Sequence, residues 1–138
     1  MAKMPGKSGV GGYELRREVL AVPATVGLLR DLTQVHLAKW GASERFADNV
    51  RLVVSELVTN SVAACPGRAI VFVMYAVVGA VVVEVRDPSE RAPVHRPAGP
   101  GDEGGRGLQI VGALAESWGT RWPPGGGKVV WAKMTATC

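Results

Sequence analysis

The chain has 138 residues, 47% of them hydrophobic, enough for one compact domain with one core and too few for two ordinary ones. Its net charge of +4, from 16 basic against 12 acidic residues, is scattered, without the basic stripe or interleaved aromatics that would track a nucleic acid. No run reaches the roughly 18 apolar residues of a membrane span, and no apolar segment follows the N-terminal lysines, so a cytoplasmic protein is expected.

Residues 1–12 are rich in glycine, without periodicity, and read as a flexible leader to a domain covering 13–138. Tyr13 to Val22 predicts a first strand, and Pro23 is pre-set for the first turn of a helix. That helix carries Val26, Leu29, Leu32, Val35, Leu37 and Trp40 and stops at Gly41. Ser43 is a suitable N-cap for a second helix, with Glu44 placed favourably against its dipole. Phe46, Val50, Val53, Val54, Leu57, Val58 and Ser61 mark its buried face, and Pro66-Gly67 ends it. Ala69 to Val77 and Ala80 to Val85 predict an antiparallel hairpin turning at Val78-Gly79. Composition then shifts to Pro, Gly, Arg, Glu and Asp over 88–105, a loop long enough to be a lid or binding loop. A third helix is expected from Arg106 to Ser117, then strands around Trp118 to Trp122 and Lys128 to Thr135. Strands arriving as hairpins, with too few helices for crossovers, imply an α+β fold: a mixed, mostly antiparallel sheet with helices on one face, not a doubly wound one.

Three segments carry candidate chemistry. Glu56 and Asn60, four apart on the second helix, project about 40° apart at the margin of its apolar arc. A carboxylate there can act as a general base, and an amide oxygen can hold Mg²⁺ without adding negative charge beside a triphosphate. The same spacing also occurs on many ordinary solvated helix faces. Asp87 ends a strand, where a carboxylate can accept a hydrogen bond from an exocyclic amine such as that of adenine, although Asp-Pro is equally a turn starter. Gly104-Gly105-Arg106-Gly107-Leu108 opens a helix, and its N–H groups, the helix dipole and Arg106 suit an anion; a plain hinge would look similar.

Other candidates are weak. Gly125-Gly126-Gly127-Lys128 is followed by Val129 and a strand, where a P-loop needs Ser or Thr and a helix. His36 and His95 have no triad or metal partners in view. Cys65 and Cys138 lack metal-site spacing and read as free thiols.

Together, in this order, the segments resemble the histidine-kinase-like ATPase superfamily, which includes gyrase B, the Hsp90 chaperones, MutL and sensor kinases. The chain looks most like the small stand-alone members related to anti-sigma-factor serine kinases. RLVVSELVTNSV is similar to the family's N-box, which implies Glu56 as catalytic base and Asn60 as Mg²⁺ ligand. VEVRDPS is similar to the first glycine box, implying that Asp87 binds the adenine amine. EGGRGLQIV is similar to the second, implying phosphate contacts from Gly105, Arg106, Gly107 and Leu108, with the preceding loop as the ATP lid. GGGKVVWAKM resembles the final strand motif. The chain departs from the pattern after Asn60, where SVAAC lacks an Arg-His pair. Ser89 stands where glycine is frequent, and Lys128-Val129 stands where many members place a Thr beside the adenine.

The resemblance implies a Bergerat-type two-layer α/β sandwich binding ATP and Mg²⁺. It further implies a serine/threonine kinase acting on an anti-sigma-factor antagonist and binding a sigma factor. The alternative is a non-catalytic ATP-binding interaction module whose lid controls partner binding. Apolar strands and four tryptophans suit a homodimer without requiring one.

Overall fold

The computed structural model describes residues 13–93 and 107–136. Within them the order is β1 (Glu14–Leu20), α1 (Pro23–Lys39), α2 (Glu44–Ala64), β2 (Ala69–Val77), β3 (Ala80–Asp87), α3 (Gly107–Leu114), β4 (Ser117–Arg121) and β5 (Lys128–Thr135). The five strands form one sheet in the order β1-β2-β3-β5-β4. The sheet expected to be mixed is antiparallel at all four pairings.

Alternation along the strands sends one set of side chains to the helices. Ile70, Phe72, Met74, Val81, Val83, Val85, Val130, Ala132 and Met134 meet Val50, Val53, Val54, Leu57 and Val58 of α2 in a single core. The opposite sheet face is half-exposed and polar in part. There the Tyr75 hydroxyl donates to Glu84 at 2.9 Å and Arg121 pairs with the same carboxylate at 3.2 Å. Burial and the neighbouring Glu84 push the Tyr75 phenol up to about 12.

α2 is the central helix, packed on α1, on α3 and on the sheet. The Ser43 hydroxyl accepts from the Phe46 amide at 3.2 Å and Glu44 sits in the first turn, as expected of the N-cap. All the residues expected on its buried face are buried.

Two helix expectations need correction. In α1 the buried stripe is Thr25, Leu29, Thr33 and Leu37, with Val26 and Leu32 at its edge, whereas Val35 is 49% exposed. Val35 lies two residues, about 200°, from both Thr33 and Leu37 and so faces away. The two threonines enter the core because they bond locally, Thr25 to the Leu20 carbonyl at 2.6 Å and Thr33 to the Leu29 carbonyl at 2.7 Å. The third helix ends at Leu114, not Ser117. Ala115 still donates to Val111, but the Glu116 amide turns to the Lys133 carbonyl, and Ser117 already belongs to β4.

The hairpin turns at Gly79, with φ +71°, where a side chain would strain the backbone. β3 runs two residues further than expected, to Asp87. Among the described residues no helix is long and apolar enough to cross a membrane. Cys65 is buried as a free thiol, and Cys138 lies outside the described residues.

Candidate functional site

The site is built on the C-terminal half of α2. Leu57 and Val58, fully buried, fix the helix rotation, which leaves Glu56 and Asn60 half-buried at the edge of the core. Glu56 lies against the start of α3: a Cβ added to Gly107 would stand 2.8 Å from its Oε2. Glycine at 107 leaves the Glu56 carboxylate this position without displacement, and loss of solvent there raises the Glu56 pKa above the ordinary glutamate value. One turn on, the Asn60 amide nitrogen is buried with no hydrogen-bond partner. Arg51 Nε and Thr135 Oγ1 share that condition, but neither lies beside a candidate base. Rotation about the last torsion of Asn60 exchanges its nitrogen and oxygen, so the same position can present an acceptor to a cation.

The residue after Asn60 reaches the sheet. The Ser61 hydroxyl, in the core at 1% exposure, donates to Asp87 Oδ2 at 2.6 Å. The Ser89 amide donates to Oδ1 at 3.0 Å, closing the turn that follows β3. Lys128 Nζ then donates to both oxygens, at 2.9 and 3.1 Å. This ion pair is a direct cross-strand pair, because the β3–β5 register sets Asp87 opposite Lys128. Its side chains are 0% and 3% exposed. Gly127, at φ +73°, makes the approach feasible, since a Cβ there would collide with the Asp87 carbonyl oxygen. The glycine cluster that fails as a P-loop is therefore the turn that delivers Lys128 to Asp87.

The structure thus brings Glu56, Asn60, Asp87 and Gly107 to one end of α2. Leu108 is 2% exposed and packs inward, leaving only its backbone to meet a ligand. Gly105, Arg106 and most of the expected lid lie outside the described residues. Ser61 was expected only to pack, and Lys128 only to replace a threonine; the structure makes both partners of Asp87. Two cavities flank this end of β3. One of about 420 Å³ is lined by Val71, Arg86, Glu90 and the glycine turn, and one of about 530 Å³ by Cys65, Arg68, Ser89 and Arg91.

The donor set suits Mg²⁺ carried by a phosphate chain. Such a cation takes most of its oxygens from phosphate and water and asks the protein for one or two. The unpartnered amide of Asn60 can be one of them. No cluster of three His, Cys, Asp or Glu side chains that could hold a metal by itself occurs among the described residues.

A family model described as a histidine kinase-like ATPase domain matches residues 19–134. Among solved structures, the chain is similar to the RsbU and RsbW domains of Rv1364c from Mycobacterium tuberculosis, with a TM-score of 0.68 and 20% identity. The match covers 88% of this chain and 32% of that longer one, and at this identity it speaks for the fold. No curated protein matches the sequence.

Proposed function

The chain belongs to the histidine kinase-like ATPase domain family, and from that premise we propose that it is a cytoplasmic, Mg·ATP-using serine/threonine kinase. Its substrate class is a small protein antagonist of an anti-sigma factor, and its regulated partner is a sigma factor. The observation that carries this reading is the half-buried Glu56 carboxylate set against the start of α3, with the unpartnered Asn60 amide one turn away.

Glu56 takes the proton as the hydroxyl oxygen of the substrate Ser or Thr bonds to the γ-phosphorus and the bond to the β–γ bridging oxygen breaks, releasing ADP. Its pKa, raised by loss of solvent, makes the carboxylate a stronger base than a solvated glutamate. The N–H groups that open α3 would contribute hydrogen bonds and the positive end of the helix dipole to the phosphates. Asn60 would hold Mg²⁺, which would supply charge neutralisation to the phosphates. Catalysis in such a site is mainly positioning and electrostatics.

The test is phosphoryl transfer from γ-labelled ATP to proteins of the source cell, with wild type and Glu56→Gln side by side. The reading expects phosphoserine or phosphothreonine with wild type and at least about 100-fold less with the variant. Equal labelling by both, or none by either, would sink the kinase assignment.

A further inference from the structure

The Asp87 carboxylate has about four acceptor positions, and four contacts occupy them: the Ser61 hydroxyl, the Ser89 amide and two from Lys128. None remains for an exocyclic amine. An amine arriving there would also face the Lys128 ammonium, donor against donor. Displacing Lys128 would strand a charge that is 3% exposed, an outcome proteins strongly disfavour.

Resting on the nucleotide site proposed above, we propose that Lys128 takes the place of the base's amine on Asp87, so that the pocket does not select adenine. Lys128 is then the residue that determines base specificity. An ammonium has three hydrogens, and Asp87 takes two hydrogen bonds from it, with no further acceptor for Lys128 among the described residues. A base with an oxygen at the 6-position can accept the third. The substrate class becomes purine nucleoside triphosphates generally, 6-oxo purines being at least as good as ATP.

Mg·ATP and Mg·ITP isolate this feature, since their bases differ only in the 6-substituent and the adjoining ring proton. Calorimetric titration of the full chain should find ITP bound as tightly as ATP, within about threefold, or more tightly. In Lys128→Thr, which frees the carboxylate, the preference should move toward ATP by at least about tenfold. A wild-type preference for ATP beyond about threefold overturns the proposal, and so does a folded Lys128→Thr protein with an unchanged ratio. Should that variant fail to fold by circular dichroism, the wild-type ratio decides. Absence of heat with both nucleotides on wild type would instead remove the nucleotide site itself, and this inference with it.

Discussion

Asp87 and Lys128 depend on each other because neither has solvent to fall back on. Asp87→Ala leaves a buried ammonium and should destabilise the domain by about 3–5 kcal/mol, whereas Asp87→Asn combined with Lys128→Met removes both charges and should lose far less. Urea denaturation checks this, and additive losses in the double variant would contradict the pairing. Glu56 meets a different constraint. Gly107→Ala pushes the end of its flexible side chain, so stability should change by less than about 1 kcal/mol while phosphoryl transfer falls at least about tenfold. The pH profile has a defined sign. Burial raises the folded pKa of Glu56 above its unfolded value, so its share of stability is greatest at low pH and is lost as pH rises through the folded value. The base it supplies behaves oppositely, and activity should fall with acidification at a higher pH than a solvated glutamate would give. A rate profile with its acid limb at the ordinary glutamate value would contradict that. At this scale the placement of Glu56 and Asn60 together at the half-buried edge of α2 was legible, because helical periodicity converts a four-residue spacing into one face. The role of Lys128 was not, because its partner lies 41 residues away and only strand register joins them.

Among the elements, α2 carries the site and its stability should be visible in the cap. Ser43→Ala removes the acceptor for the Phe46 amide and should cost about 1 kcal/mol, read as a drop in thermal midpoint of several degrees. No drop would mean that the cap is replaced by water at no loss. The α2 pattern was legible throughout, since its apolar residues fall on one face and its start bears a side-chain acceptor. For α1 the sequence misleads, because Thr25 and Thr33 satisfy their hydroxyls on nearby carbonyls and so pass as core residues, while Val35 faces outward. The end of α3 was hidden for a related reason: Glu116 leaves the helix to bond with Lys133, a residue of a strand not yet formed when the helix is read locally.

At the level of the whole molecule, the sheet order places β3 between β2 and β5, so that Asp87 and Lys128 meet below α2 while α3 returns over the same end of that helix. The α+β class could be read from hairpins and helix number, but the β3–β5 adjacency could not, because a helix and another strand separate the two in sequence. That adjacency converts Lys128 from an expected surface charge into the buried partner of Asp87. The central claim is that the end of α2 and the start of α3 hold a Mg-nucleotide. Its most direct test is calorimetric titration of the full chain with ATP, with and without Mg²⁺, beside Asn60→Ala. The account predicts one saturable, Mg²⁺-dependent site per chain, weakened at least about tenfold in the variant. Binding that is absent up to millimolar ATP, or unchanged in Asn60→Ala, would contradict it.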